Sequence, residues 1–161
     1  MPATLAEVPR GRASDQQLLE AGKEVQIGLN FLHAHNLAHN DVKSSNIFID
    51  SMGHYLIGDL GACTIIGNQQ HEASPLMRME NTFGFQSGQA SAELDLAQLA
   101  VTLLDLRSGS FALGKTTAEH RLLPIKISEV QAAVNEISDD GFRQFLTTLL
   151  PSHILGTSGR P

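Results

Sequence analysis

The chain has 161 residues, enough for one domain or one lobe of a larger one, with a real core. Its formal charge is -6, from 11 Lys and Arg against 17 Asp and Glu with no basic run, which argues against nucleic acid or an anionic membrane as main partner. Cys63 is the only cysteine, so no internal disulfide can form; residues 1–10 lack the apolar core of a signal peptide, and no run reaches the roughly 18 apolar residues of a membrane span. A soluble intracellular chain, cytoplasmic by default, is the expectation.

In chain order, Met1–Ala13 is polar and aperiodic and predicts a flexible lead-in. Ser14 and Gln17 have capping-box spacing and open a helix. Leu18, Gly22, Val25, Leu29 and Leu32 give that helix one buried face, and Asn36 can end it in the left-handed conformation. Gly22 and Gly28 cost helix propensity and imply close packing against other elements. Ile47–Ile49 and Tyr55–Ile57 are strand formers around the turn Asp50-Ser51-Met52-Gly53, predicting a hairpin with Gly53 at positive φ. Residues 62–90 hold no sustained period, as in a lid or disordered loop.

Ser91 can cap an apolar helix to about Leu106, interrupted by Asp95, Gln98, Thr102 and Asp105; it should be the buried axis of the fold. Residues 107–124 look irregular. Ser128 with Gln131 repeats the capping-box spacing for a helix through Ile137. Asp139 or Asp140 can cap a last helix with Phe142, Phe145, Leu146, Leu149 and Leu150 on its inner face. The fold class is mainly α with a short β-hairpin.

The chemistry concentrates in His39-Asn40-Asp41-Val42-Lys43-Ser44-Ser45-Asn46, an H-x-D-x-K-x-x-N run, and in Asp59-Leu60-Gly61 beyond the hairpin. Phosphoryl transfer needs a base near the attacking hydroxyl, a cation on the moving group, and oxygen ligands for Mg²⁺. Asp41, Lys43, and the pair Asn46 and Asp59 supply those parts in that order. The hairpin gives the spacing a geometric reason, since Asn46 precedes one strand and Asp59 follows the other. A zinc cluster of His33, His35 and His39 is not expected, because residues two apart on a helix point apart. Cys63 reads as a small packed side chain in preference to a reactive thiol.

In these motifs the chain resembles the protein kinases of serine/threonine type, and specifically their C-terminal catalytic lobe, an α+β unit, over residues 14–161. The resemblance implies a catalytic loop at 39–46, an activation segment at 59–89 opening on D-L-G at 59–61, and a central buried helix at 91–106. It implies Asp41 and Lys43 as catalytic, Lys43, Asn46 and Asp59 as contacts to ATP, and Asn46 and Asp59 as Mg²⁺ ligands. Structural support would come from His39 packed under the catalytic loop, and from Asp95 holding the loop backbone. Thr82, near the end of the activation segment, and Gln89 with Arg160, a weakened form of a glutamate–arginine tether, complete that set.

Two departures qualify what the resemblance implies. No Gly-rich loop, strand lysine or hinge precedes Ser14, so a truncated form lacking the upper lobe is expected, with negligible activity alone. Asn40 stands where the resemblance calls for arginine, and an amide cannot pair with a phosphorylated segment as arginine would; phosphorylation there is then not the on-switch. Three functions follow: Mg²⁺- and ATP-dependent transfer to a protein Ser/Thr hydroxyl; a non-catalytic, pseudokinase-like scaffold; or a small-molecule phosphotransferase, against which Lys43 and Thr82 argue. The expected partner is a protein substrate or regulator, and the exposed inter-lobe surface should favour self-association.

Overall fold

A computed structural model describes residues 3–70, 84–85, 88–108 and 125–156. Helix α1 runs Asp15–Ala34 and begins as its sequence predicts. The Ser14 hydroxyl accepts from the Gln17 N–H at 3.2 Å, and the Gln17 side chain accepts from the Ser14 N–H at 3.0 Å. It ends at Asn36, whose φ of 60° reverses the chain into strand β2, Leu37–Ala38. The inner face of α1, from Leu18 to Leu32, is buried. Gly22 lies where a Cβ would come within 2.5 Å of the Phe145 ring and 2.8 Å of Leu103, so its missing side chain lets three helices meet.

Strands β3, Ile47–Ile49, and β4, Tyr55–Ile57, form the expected antiparallel hairpin, with Phe48 opposite Leu56. Gly53 takes φ 88° in its turn, and the Asp50 carboxylate accepts from the Met52 and His54 N–H groups. Strand β5, Thr64–Ile65, pairs antiparallel with β2.

The lead-in departs from expectation. Ala3–Thr4 form strand β1, which pairs with β3 at Ile49 and Phe48 and makes a three-stranded sheet in the order β1-β3-β4. Leu5 is buried in the core, Arg10 pairs with Asp105 at 2.8 Å, and the Gly11 N–H donates to the Leu106 carbonyl. A two-residue strand and one inserted leucine carry no period, so an aperiodic sequence concealed a docked segment.

Helix α2, Ala92–Ser108, is the axis of the molecule, buried almost throughout from Leu94 to Leu106. The Ser91 hydroxyl accepts from the Leu94 N–H at 3.0 Å and caps it. Helices α3, Ile127–Asn135, and α4, Asp140–Leu149, pack against it. Asp139, the residue before α4, accepts from the Phe142 N–H at 2.7 Å. The start of α3 corrects the sequence reading. Glu129, not Gln131, closes it by accepting from the Lys126 N–H at 3.2 Å, a site at the positive helix end that favours a carboxylate over an amide. The helix also ends two residues before Ile137, within ordinary variation at helix ends.

One surface contact ties α1 to the hairpin. Glu24 accepts from the Tyr55 N–H at 2.7 Å and pairs with the His54 ring at 2.9 Å. These bonds, the Tyr55 one first, hold the Glu24 carboxyl below its ordinary range, and the Glu24 bond raises the His54 imidazole above its own. A raised imidazole binds its proton more tightly folded than unfolded, so its stabilisation is complete below about pH 6.5 and is lost as pH climbs through the raised folded value. Titration of the His54 ring by NMR should show that elevation, and Glu24→Gln should return it toward the ordinary value. An unchanged His54 titration in the variant would contradict the pairing.

Candidate active site

Helix α2 carries a polar stripe through its apolar surroundings. Asp95, Gln98, Thr102 and Asp105 recur at steps of three, four and three, which places them on one face. The first three reach the catalytic loop. Asp95, 0% exposed, accepts from the His39 N–H through Oδ2 and from the Asn40 N–H through Oδ1, both at 2.7 Å. The His33 ring adds a third bond, from Nε2 to Oδ2 at 2.9 Å. Gln98 accepts from the Val42 N–H at 3.0 Å and donates to the Asn40 carbonyl at 3.2 Å. The Thr102 hydroxyl lies 3.2 Å from the Val42 carbonyl.

His39 is buried and links the loop to the hairpin. Its Nδ1 accepts from the Asp41 N–H at 3.3 Å while its Nε2 donates to the Gly58 carbonyl at 2.8 Å, a pair of roles that specifies the Nε2–H tautomer. The Gly58 N–H in turn donates to the Asn46 carbonyl at 2.9 Å. Gly58 is thereby stitched to both ends of the loop, and Asp59 follows it. A side chain at 58 would strike the Phe48 ring at 2.6 Å, so a glycine permits this approach.

Three of the four predicted polar residues come together. Asp41 is only 8% exposed. Its Oδ2 accepts from Lys43 Nζ at 2.7 Å and from Asn46 Nδ2 at 3.1 Å. Asn46 Nδ2 also donates to the Asp41 carbonyl at 2.9 Å, so the amide oxygen is what Asn46 has left to offer a cation. Asp41 Oδ1 is buried and has no hydrogen-bond partner among the described residues. Asp59 stands apart: it is exposed, sits at φ 56° in the left-handed region, and among the described residues its carboxylate accepts only a long 3.5 Å bond from the Gly61 N–H. Among the described residues no three His, Cys, Asp or Glu side chains group to hold a metal. A hard cation at Asn46 and Asp59 would therefore need further oxygens, such as those of a phosphate chain.

Asn40, at φ 68°, uses its side-chain Nδ2 to reach the Ala62 carbonyl at 2.7 Å, joining the loop to the residues after Asp59-Leu60-Gly61. Cys63 lies just beyond. Burial first, and then the Asp95 and Asp59 charges, push its thiol up, which leaves little thiolate at neutral pH. Gln89 donates from Nε2 to the Gly67 carbonyl at 2.8 Å, while Thr82 and Arg160 lie outside the described residues. His33, Gln98 and Thr102 were not anticipated as support for the loop. The three- and four-residue spacing of the polar positions in α2 was the available signal for the last two.

A loop that presents a buried aspartate beside a lysine and an asparagine, braced from below by an aspartate on a buried helix, defines a phosphotransferase-type lobe. The comparisons with known proteins agree. The family described as Protein kinase domain matches residues 3–151, and the chain belongs to that family. Serine/threonine-protein kinase TAO2 of Rattus norvegicus is 30% identical over 155 residues, 87% of this chain and 12% of that protein. Serine/threonine-protein kinase TAO1-B of Xenopus laevis is 29% identical over 155 residues, 87% of this chain and 15% of that protein. The RAF proto-oncogene serine/threonine-protein kinase of Xenopus laevis is 32% identical over 108 residues, 58% of this chain and 16% of that protein. The chain thus spans well under a fifth of the length of these curated relatives. Protein kinases as a family use ATP with Mg²⁺.

Asp95→Asn tests the brace. The amide offers one acceptor where the carboxylate offers two, and it turns an N–H group toward a backbone N–H. The expected cost is about 2–4 kcal/mol in urea unfolding. A loss below about 0.5 kcal/mol would show that the carboxylate is not needed.

Proposed function

We propose that this chain supplies the catalytic lobe of a protein kinase that transfers the γ-phosphoryl group of ATP to a serine or threonine hydroxyl of a protein. Asp41 accepts or orients the proton of the attacking hydroxyl, and Lys43 neutralises charge on the moving group. Asn46 and Asp59 would hold Mg²⁺ together with phosphate oxygens, and the ion would neutralise charge on the phosphate chain. The observation that carries this reading is the Asp41 carboxylate itself. One oxygen is fixed by Lys43 and Asn46, and the other has no hydrogen-bond partner among the described residues, so the carboxylate is oriented while part of its acceptor capacity stays unused.

In the full-length protein that contains these residues, Asp41→Asn should lower kcat by roughly a hundredfold or more while changing the KM for ATP little. Phosphate incorporation into a protein substrate at the wild-type rate would remove Asp41 from this role. For residues 1–161 alone, which hold no Gly-rich loop or strand lysine to cover the phosphates, very weak Mg·ATP affinity is expected. A micromolar dissociation constant by calorimetry would refute that.

A second reading, a non-catalytic scaffold of kinase ancestry, draws on Asn40 and Asp59. The Asn40 amide is committed to the Ala62 carbonyl, and the Asp59 carboxylate serves its own turn. Substrate or regulatory proteins are the partners of either reading. Ile27 and Phe31, one turn apart on α1, are 70% and 65% exposed, and Leu56 and Leu60 are also exposed. These apolar side chains support a surface that another lobe or a second copy covers. An intracellular setting fits the single free cysteine. Among the described residues, no helix is long and apolar enough to cross a membrane.

A further inference from the structure

We infer that Gln98 is a positioning residue for Asp41, acting as a fork that fixes the loop backbone on both sides of the base. The inference rests on the reading of Asp41 given above. Gln98 is fully buried in a helix whose other inward positions are mostly apolar, where a leucine or methionine would fill the same space without polar atoms to satisfy. Its two partners straddle Asp41 in sequence. The Oε1 atom accepts from the Val42 N–H, one residue after it, and Nε2 donates to the Asn40 carbonyl, one residue before it.

The fork holds a backbone that would not hold itself. Asn40 sits at φ 68°, in the left-handed region that asparagine tolerates better than most L residues but that no regular element stabilises here. The peptide groups on either side of Asp41 are in no helix or sheet. Of the bonds from α2, those of Asp95 fix the loop upstream of Asp41, through His39 and Asn40. The Thr102 hydroxyl touches it downstream, 3.2 Å from the Val42 carbonyl, but shares its one proton with the nearer Gln98 carbonyl at 2.8 Å. Gln98 alone grips both sides. Because one rigid amide makes both bonds, the Asn40 carbonyl and the Val42 N–H are held at a set separation. The direction of the Asp41 Cα–Cβ bond is held with them. Lys43 and Asn46 then fix the carboxylate itself, which has one residue of reach from that anchored backbone.

Gln98→Met keeps the volume and removes both bonds. Two measurements are needed, on the full-length protein that contains these residues. By hydrogen exchange, the Val42 amide should be protected in the wild type and lose protection by about tenfold or more in the variant, while Leu103 in the same helix keeps its own. Kinetically, kcat should fall by roughly tenfold or more with the KM for ATP within about twofold, the signature of a misaimed base and not of lost nucleotide binding. Gln98→Glu, which keeps the acceptor for Val42 and removes the donor for Asn40, should retain more Val42 protection than Gln98→Met.

An unprotected Val42 amide in the wild type overturns the inference even if neither variant folds. So does a Gln98→Met protein with unchanged kcat, or one in which kcat falls only in proportion to the folded fraction. If the wild type transfers no phosphate, or Asp41→Asn transfers it normally, the catalytic reading fails and this role fails with it. Wild-type transfer that is lost in Asp41→Asn but unaffected by Gln98→Met sinks the fork alone.

Discussion

The carboxylate of Asp95 is the interaction on which the functional end of this molecule depends. Removing a carboxylate from water costs several kcal/mol even after relaxation. The apolar residues around it in the helix cannot compensate that loss. Two backbone N–H groups of consecutive residues and the His33 ring make that burial tolerable, since bonds to a charged acceptor contribute about 1.5–3 kcal/mol each. The satisfaction is mutual. The His39 and Asn40 N–H groups lie in no sheet, and without Asp95 they would be buried donors with nothing to bind. The loop takes its course because one charge needs it there.

From that anchor the constraint spreads in two directions. Along α2, Gln98 continues the same face and carries the loop past Asp41, with the Thr102 hydroxyl beside the Val42 carbonyl. Away from α2, the His39 ring turns a backbone contact into a bridge, binding the Asp41 N–H on one nitrogen and the Gly58 carbonyl on the other. The remaining faces of α2 are apolar and meet α1 and α4, where Gly22 admits the Phe145 ring. One helix thus does two jobs: its apolar sides make the core, and its polar stripe gives the loop a rigid floor.

What the sequence disclosed and what it hid divide along the same line. The Ser14 box, the Asn36 stop, the hairpin with Gly53 at its turn, and the Asp139 cap were all legible, because each is decided within a few residues. The position of Asp95 under the loop came through the likeness to a family and not through any local pattern. Gln98 and Thr102 were taken as interruptions of an apolar run, although their spacing from Asp95 already put them on one face. The partner of His33 is 62 positions away, and no periodicity reports a contact of that kind. The lead-in was misread for a similar reason, since its order comes from β3 and Asp105 and not from its own residues.

The site is also built unequally, and the inequality has a physical sense. Asp41, Lys43 and Asn46 are held by short bonds in a largely buried setting, so their arrangement exists before anything binds. Asp59 is exposed, sits at a left-handed backbone angle with one long bond to its carboxylate, and among the described residues is linked to the others through Gly58. A carboxylate so placed has little to hold it in one position. In the proposed reaction Mg²⁺ would supply that hold only together with further oxygens, because one amide and one carboxylate fill too few of the positions it takes. In the proposed reaction the hydroxyl side would therefore be preformed in this chain, and the nucleotide side would be completed by the nucleotide itself.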